Sequence, residues 1–287
     1  MSSSFVLQLV ISGLLMGGVY SLIALGLSLI FGVMKVINFA HGEMMVWGMY
    51  IAYTILLFTG IDPFFSLVVS AGALFVLGYL FQRTVVNRII EFPEAMQVIP
   101  MVGAALIFEN GARLIWGPDY RSPASKFALS SLWIGEIMID VPRLLAFLIA
   151  ILIAALVFLF LKYTDIGKAI RSSADNRLGA LLVGTDVNRV YAVCFGIGMA
   201  CVGAAGALLV PLVPLAPHIG PPFTLISFII VILGGMGSLM GAMVGGLIVG
   251  IAESVATIFL PSSLKQIVSF SLMVLILLFK PKGLFGR

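Results

Sequence analysis

The chain has 287 residues, of which 61% are hydrophobic and only 10% are charged, and its mean hydropathy is +1.20. Soluble domains carry about 25% charged residues, so this composition excludes a soluble protein and indicates one that crosses a membrane several times. The formal net charge is +4, but the basic residues form no dense stripe with interleaved aromatic residues, so we expect no nucleic-acid partner.

Apolar segments of roughly twenty residues recur along the chain and predict an all-α fold of about eight to nine transmembrane helices. We treat residues 1–287 as one membrane domain. The predicted spans are residues 5–31, 43–60, 63–82, 96–116, 142–162, 190–213, 222–235, 238–260 and 264–279. The short span 222–235 runs into a cluster of glycines at positions 234, 235 and 237, which predicts a broken or re-entrant helix near the middle of the membrane.

A polar stretch, GVMKVINFAHGEMM (32–45), directly follows the first span and predicts a second helix break. His41 is either a hydrogen-bonding group for exposed backbone or a proton relay, metal ligand or catalytic base. Further His or Cys ligands at metal-site spacing are missing from the sequence, so we expect no metal site. Glu43 either pairs with His41 or lies at the start of its helix, where the helix dipole favours an anion.

Two further carboxylates, Glu109 and Glu253, also fall within or beside predicted spans. An ionised carboxylate in the membrane costs roughly 2.5–3.5 kcal/mol even on lenient insertion scales, so each should face a partner, a cavity or an interface. Glu109 can form an ion pair with Arg113, one helical turn later.

The distribution of basic residues predicts the orientation. With nine spans and the N-terminus outside, one face of the membrane carries Lys35, Arg83, Arg88, Lys162, Lys168, Arg171, Arg177, Arg189, Lys280, Lys282 and Arg287. The other face carries only Arg113, Arg121, Lys126, Arg143 and Lys265. Because cytoplasmic loops are enriched in Lys and Arg, we predict an external N-terminus and a cytoplasmic C-terminus.

The most polar stretch, residues 163–189, falls on the cytoplasmic face and predicts a short helix. Asp165 can cap the start of this helix and Gly184 can end it, while Thr185 or Asp186 can cap the next span. One face of the helix would carry small and apolar residues, namely Ala169, Ile170, Ala174, Leu178, Leu181 and Leu182.

The sequence also lacks two devices that would energise transport. It has no G-x-x-x-x-G-K-[ST] phosphate-binding loop, and it lacks the several membrane-embedded acids expected of a proton- or sodium-coupled carrier. If the chain takes part in active transport, we therefore expect a partner to supply the energy.

Three stretches carry the most specific pattern of the chain: GLSLIFGVMKVINFAHGEMMVWGMY (26–50), TDIGKAIRSSADNRLGALLVGTDVNRVYAVCFGIGMACVGAAGAL (164–207) and IVILGGMGSLMGAMVGGLIVG (230–250). Together they resemble the permease subunits of bacterial branched-chain amino acid ABC importers. The C-terminal KPKGLFG is similar to the usual ending of that family. The resemblance covers nearly the whole chain, apart from the external loop around residues 117–141.

The resemblance implies a multi-pass permease in the lipid of the bacterial inner membrane, with a periplasmic N-terminus. Its expected partners are a second homologous permease, two cytoplasmic ATPases and a periplasmic substrate-binding protein. The resemblance assigns residues 163–189 to the region that couples the permease to an ATPase, whereas the alternative is a solvated amphipathic connector. The implied coupling residues are Arg171, Ala174, Asp175, Asn176, Arg177, Ala180 and Gly184.

The same resemblance implies that the chain has no catalytic residue and no cofactor of its own. We expect the helix breaks at residues 32–42 and 233–238 to line the pathway near the midplane, with Asn38, Phe39, His41, Glu43, Gly234, Gly235 and Gly237 as the pathway residues. The expected substrate is a branched-chain or related hydrophobic amino acid, with urea, short amides and aromatic acids as alternatives. Two functions of other classes stay open: an intramembrane hydrolase that uses His41 with Ser238, and a carrier or channel that works alone.

Overall fold

The computed structural model describes residues 3–123, 125, 127, 130–261 and 264–286. The apolar segments form helices because a helix pairs every backbone N–H and C=O group without water. The membrane helices are α1 (Ser3–Met34), α2 (His41–Thr59), α3 (Pro63–Phe81), α4 (Asn87–Ile89), α5 (Glu94–Trp116), α6 (Val141–Tyr163), α9 (Val187–Leu209), α10 (Gly220–Gly234), α11 (Leu239–Ala256) and α12 (Lys265–Phe279). The remaining elements are the helices α7 (Asp165–Asp175) and α8 (Arg177–Leu182) and an antiparallel hairpin of β1 (Ser131–Ile134) and β2 (Ile137–Asp140).

Eight helical segments of the described chain are long and apolar enough to cross a membrane, and α12 is a shorter apolar helix of 15 residues. The predicted all-α fold with eight to nine transmembrane helices is confirmed. The third span is longer than predicted, because a π-helical turn (Gln82–Val86) joins α3 to α4 and carries the segment on to Ile89.

α1 packs along its length against α11 in antiparallel orientation. Ser21 Oγ donates a hydrogen bond to Met243 O, and Ser254 Oγ donates one to Leu9 O, both at 2.7 Å. The two backbones approach so closely between these bonds that a Cβ at Gly250 would lie 2.5 Å from a backbone oxygen of α1. Small residues allow this contact, which gives helices in lipid much of their packing energy.

Two helix triplets, α1–α2–α3 and α9–α10–α11, are arranged as inverted copies. α1 packs on α11, and α3 packs in the same way on α9. The equivalent helices of the two triplets meet each other at glycine pairs, α1 with α9 at Gly26 and Gly198, and α2 with α10 at Gly42 and Gly220. Each triplet has a non-helical break between its first and second helix. Inverted repeats of this kind underlie many transporters.

The bundle has two different ends. At the hairpin end, named after β1 and β2, Gln8 Nε2 of α1 donates to Met138 O at 3.4 Å. The opposite end carries α7, α8 and the C-terminal segment, where Leu284 N donates to Leu233 O of α10 at 2.9 Å; we call it the α7–α8 end. The first and last described residues of the chain therefore lie at opposite ends of the bundle.

Candidate functional site

The chain turns back into the bundle between α1 and α2. The backbone leaves α1 at Lys35, whose φ of 56° lies in the left-handed region, and His41 Nε2 then lies 2.9 Å from Ile23 O. Ile23 is eleven residues before Met34, the last residue of α1, which is about 16 Å along the helix axis. α2 therefore begins level with the middle of α1, and residues 35–40 form a re-entrant connection.

The polar groups of this break are only partly hydrogen-bonded. Asn38 Oδ1 accepts a hydrogen bond from Ala40 N at 3.1 Å, in a turn that leads the chain into α2. The Phe39 ring packs against Phe228 of α10, with 5.2 Å between the ring centroids. Asn38 Nδ2 and His41 Nδ1 are buried without a hydrogen-bond partner among the described residues. Since an unpaired buried polar group costs about 1–3 kcal/mol, the break holds two groups that a ligand or water would stabilise.

Glu43 lies in the first turn of α2 and faces α10. Its Oε2 accepts a hydrogen bond from Thr224 Oγ1 at 3.3 Å, and the same hydroxyl accepts one from Gly42 N at 2.9 Å. Gly220, the first residue of α10, touches the backbone of Gly42. The starts of α2 and α10 thus meet in the middle of the bundle. Of the two alternatives for Glu43, the position at the start of its helix is the one observed, because His41 bonds to Ile23 of α1.

The glycine cluster between α10 and α11 lies at the α7–α8 end rather than near the middle of the bundle, where the sequence predicts it. A Cβ at Gly237 would lie 2.9 Å from the Cα of Gly32, which is two residues before the end of α1. A Cβ at Gly235 would lie 2.5 Å from the backbone nitrogen of Gly286 in the C-terminal segment, and Gly234 packs against the first turn of α11. These glycines therefore form a tightly packed turn at the bundle end.

The break in the short span lies at its other end. α10 begins at Gly220, after the 3-10 turn Pro217–Ile219, and its first turns lie beside the start of α2 in the middle of the bundle. The sequence signal for this break was the Pro- and Gly-rich PHIGPP, residues 217–222.

A cavity of about 680 Å³ lies at the α7–α8 end. Its walls come from the ends of α1 and α6, from α7, from the turn between α10 and α11 and from the C-terminal segment. Arg171 and Ala174 of α7 line this cavity together with Gly237, and Lys162 of α6 adds a second cation. Two of the expected coupling residues and one expected pathway residue therefore face the same space.

Residues 163–189 form two short helices, whereas the sequence predicted one. Asp175 ends α7, and the next residue, Asn176, has extended backbone angles (φ −152°, ψ 99°). Asn176 Oδ1 accepts a hydrogen bond from Gly179 N at 2.9 Å and caps α8. Asparagine favours such local bonds over the helix interior, which explains the interruption.

The helix caps also differ in part from those predicted. Thr164, not Asp165, caps α7, because Thr164 Oγ1 accepts a hydrogen bond from Gly167 N at 3.0 Å. Asp165 instead lies 2.9 Å from Lys168 Nζ, and that hydrogen bond and positive charge lower the pKa of the exposed Asp165 carboxyl. Of the two alternatives for the next span, Asp186 is the residue that caps α9.

The apolar residues of this region do not form the predicted stripe. Ile170 of α7 and Ala180 of α8 are buried, but Leu178, Leu182 and Val183 are 72%, 88% and 80% exposed. Leu181 is exposed as well. α8 thus presents apolar side chains outward from the polar end of the bundle, and the ion pair of Arg177 with Glu91, at 3.2 Å, ties its start to the segment after α4.

The hydrolase alternative fails on distance. His41 lies beside Ile23, whereas Ser238 follows Gly237, which packs on Gly32. Ile23 and Gly32 are nine residues apart on α1, or about 14 Å along the helix axis. A nucleophile and its base must lie within hydrogen-bond reach, and Ser238 Oγ instead caps α11 by accepting a hydrogen bond from Gly241 N at 3.0 Å.

A comparison with protein families identifies the chain. The family model described as "Branched-chain amino acid transport system / permease component" matches residues 9–277. The chain belongs to this family. As a member, it is a multi-pass transmembrane permease component rather than an enzyme.

Individual members of this permease family match the chain along nearly their whole length. It is 32% identical to the high-affinity branched-chain amino acid transport system permease protein LivH of Escherichia coli (strain K12), over 100% of this chain and 98% of LivH. It is 31% identical to the corresponding protein BraD of Pseudomonas aeruginosa, over 98% of this chain and 96% of BraD. It is 30% identical to the probable branched-chain amino acid transport permease protein LivH of Methanocaldococcus jannaschii, over 92% and 88% of the two chains. No solved structure shows a significant match.

Glu109 and the two cysteines of this permease have simple surroundings. Glu109 pairs with Arg113 at 2.5 Å, as predicted. Cys194 and Cys201 are buried free thiols. Across the part of the chain that the structure describes, no three His, Cys, Asp or Glu side chains form a cluster that would hold a metal ion.

Proposed function

We propose that this chain is the permease subunit of an ATP-driven ABC importer in the bacterial inner membrane, where it forms part of the pathway for branched-chain or related hydrophobic amino acids. The family match over residues 9–277 and the full-length similarity to LivH and BraD support this function. A second homologous permease, two cytoplasmic ATPases and a periplasmic binding protein would complete the importer.

The names of the relatives favour a branched-chain amino acid as the substrate, because all three describe branched-chain amino acid transport. At 32% identity most aligned positions differ between this chain and LivH. Urea, short amides and aromatic acids are therefore the substrates to compete against leucine in an uptake assay. Leucine should compete best.

Residues 163–189 are the region through which an ATPase would act. The observation that carries this proposal is the shared cavity at the α7–α8 end, where Arg171 and Ala174 of α7 face Gly237. A shift of α7 caused by ATP binding would change the shape of that cavity directly. Asp175, Asn176 and Arg177 lie at the junction of α7 and α8, so a movement of one helix would be passed to the other.

The outward face of α8 supports docking of a protein at this end. Leu178 and Leu182 of α8 and Val183, which follows it, are strongly exposed and lie outside the candidate membrane spans. Ala180 is buried and holds α8 against the bundle, and Gly184 ends the helix. Burial of the exposed leucines in a cleft of an ATPase would remove them from water.

The middle of the bundle supports a substrate station at the starts of α2 and α10. Helix N-termini carry partial positive charge and attract a carboxylate, and Glu43 is an acceptor for an ammonium group. Asn38 and His41 contribute unpaired polar atoms, and Phe39 contributes an apolar surface. Gly234, Gly235 and Gly237 would border the pathway further on, at the α7–α8 end.

This function places the α7–α8 end in the cytoplasm and the hairpin end in the periplasm. The basic residues assigned to the cytoplasmic face from the sequence include Lys162, Lys168, Arg171 and Arg177, which all lie on helices that reach the α7–α8 end. That excess of positive charge supports a cytoplasmic position. The N-terminus of α1 would then be periplasmic and the C-terminal segment cytoplasmic.

Replacing Leu182 with aspartate tests the proposed function, with the complete importer expressed in cells. A charge in a dry interface should reduce both the copurified ATPase and the ATP-dependent leucine uptake at least about tenfold, which corresponds to about 1.4 kcal/mol. The matched control is Thr59→Asp, which adds the same charge to an exposed position at the end of α2, outside residues 163–189. Equal ATPase recovery and uptake in both variants would contradict docking at α8. Leucine uptake without any ATPase or ATP requirement would instead favour a carrier that works alone.

A further inference from the structure

A second cavity, of about 340 Å³, lies at the hairpin end, away from the coupling region. α1 lines it with one face, from Leu9 through Ser12 and Met16 to Tyr20. Leu9 and Tyr20 are eleven residues apart, or about 16 Å along the helix, so the cavity reaches deep into the bundle. Ligand pockets begin at about 300 Å³, and the volume therefore suits one small molecule.

Glu253 of α11 is the acidic group of this cavity and is only 4% exposed. Tyr20 Oη donates a hydrogen bond to Glu253 Oε2 at 3.2 Å, and Ser269 Oγ of α12 donates one to Oε1 at 2.7 Å. Lys265 Nζ lies 4.0 Å from Oε2, which is longer than the about 2.7–2.9 Å of a tight charge-assisted bond. A carboxylate has about four acceptor sites, so Glu253 has room for a further donor.

The basic groups of the cavity lie on its more exposed side. Arg143, at the start of α6, and Lys265, at the start of α12, both line it and are 42% and 41% exposed at their side chains. Arg143 pairs with Asp140 at 3.2 Å. Glu253, Asp140, Arg143 and Lys265 therefore carry two negative and two positive charges, which sum to zero.

The rest of the wall is apolar. Met16 of α1 and the neighbouring Leu212 and Val213, which follow α9, line the cavity together with the charged residues. An acid, two bases and an aliphatic surface around one small volume match a molecule that is neutral overall but carries an ammonium, a carboxylate and an aliphatic side chain.

We propose that this cavity binds the zwitterion of an aliphatic α-amino acid at the hairpin end of the permease. The ammonium donates to Glu253, the carboxylate accepts from Arg143 and Lys265, and the side chain lies against Met16, Leu212 and Val213. The ligand carboxylate replaces Glu253 as the partner of Lys265, so no charge is left unpaired. This site rests on the proposed function, because it gives the importer a station at the end where substrate would arrive.

The alternative role of Glu253 is purely structural, as a hydrogen-bond acceptor that holds helices together. Through Tyr20 and Ser269, Glu253 links α1, α11 and α12. Such a tie depends on hydrogen bonds alone and needs neither an open cavity nor bases around it. The two roles therefore respond differently to a ligand that carries only one of the two charges.

Protection of a cysteine at Ser12 tests the proposal in membranes that contain the complete importer. A membrane-impermeant thiol reagent should label Ser12→Cys, while the native Cys194 and Cys201 are buried and stay silent. Saturating L-leucine should slow this labelling at least about tenfold, because the reagent then reaches only the small fraction of sites that hold no ligand. N-Acetyl-leucine, which lacks the ammonium, and isoamylamine, which lacks the carboxylate, should not. Thr59→Cys, exposed and outside the cavity, is the control whose labelling leucine leaves unchanged.

Glu253→Gln in the Ser12→Cys background should abolish protection by leucine. The double variant Tyr20→Phe, Ser269→Ala removes the hydrogen bonds but keeps the charge, so it should reduce protection less. The proposal would be overturned if Glu253→Gln and the double variant lost protection equally, or if N-acetyl-leucine protected as well as leucine does. The comparison of leucine with its analogues tests the proposal even if Glu253→Gln fails to assemble. Leucine uptake measured in the same membranes distinguishes a failure of this site from a failure of the proposed importer function. Uptake without protection refutes this site alone, and protection without uptake refutes the importer.

Discussion

Replacing Gly184 with valine should weaken coupling to the ATPase while leaving membrane insertion intact. Gly184 has a φ of 83° and follows the end of α8. Its N–H bonds to Leu181 O and the N–H of Thr185 bonds to Ala180 O, both at 3.0 Å. This pair of bonds is the Schellman motif that ends a helix and turns the chain, here into α9.

The size of the effect follows from the backbone. Apart from Gly184 and its two chain neighbours, no atom of the described residues lies within 4 Å of the position that a Cβ at Gly184 would occupy, so crowding contributes nothing. A side chain in the left-handed conformation costs about 1–2 kcal/mol, which lowers the ratio of formed to open turn about 5- to 30-fold. Asparagine tolerates this conformation better than valine does, and Gly184→Asn is therefore the matched control with a larger side chain than glycine.

The assay measures leucine uptake and copurified ATPase for both variants at equal amounts of inserted permease. Uptake should fall in Gly184→Val and fall much less in Gly184→Asn. Two results would refute the reasoning. If valine leaves uptake unaltered, the turn has no part in coupling; if both variants lose uptake equally, side-chain bulk at an interface matters and backbone strain does not.

Two further predictions concern stability in detergent. Gly250→Ala should lower the midpoint of thermal unfolding, because its Cβ would lie 2.5 Å from backbone atoms of α1 and overpacking costs about 1–3 kcal/mol. Gly103→Ala, at an open position of α5, should raise the midpoint, because alanine favours the helix by up to about 1 kcal/mol over glycine. Midpoint changes of the same sign in the two variants would contradict the packing argument. Deletion of residues 284–287 should destabilise the turn at 235–238, because Leu233 O and Gly234 O lose the N–H donors of Leu284 and Phe285 at about 1–3 kcal/mol for each unsatisfied group. Faster protease cleavage at this turn would show the destabilisation. The control Phe285→Ala should have a smaller effect, because it keeps both backbone bonds. An unchanged cleavage rate in the deletion variant would refute the capping role.

The sequence predicts features that depend on local chemistry. Long apolar segments could only be helices in lipid, and the polar stretch after the first span had to leave the helix. The end of α8 was readable at Gly184, because glycine at the end of a helical pattern favours a left-handed turn. Even the pairing of Glu109 with Arg113 depends only on their separation by one helical turn.

The position of a helix break along the bundle axis and the contacts between residues distant in sequence were not predictable in this way. The glycines at 234–237 looked like a midplane break, but their position is fixed by Gly32 and Gly286, which are distant in sequence. The division of 163–189 at Asn176 was missed because asparagine is tolerated in many helices. The sequence predicts that Glu253 faces a partner, a cavity or an interface, but it does not identify Tyr20 as that partner, since Tyr20 is 233 residues away and belongs to another helix.

The two cavities lie on opposite sides of the contact between α2 and α10. Along α1 the hairpin-end cavity extends to Tyr20 and the α7–α8 cavity begins at Ser28. Between these levels His41 bonds to Ile23, and Gly42 touches Gly220. A substrate that passes through this chain from one cavity to the other must separate the starts of α2 and α10, where Thr224 joins Glu43 to Gly42. Because the α10–α11 turn lines the same cavity as α7, motion of α7 can reach the far end of α10, and this short helix is the element best placed to open the contact.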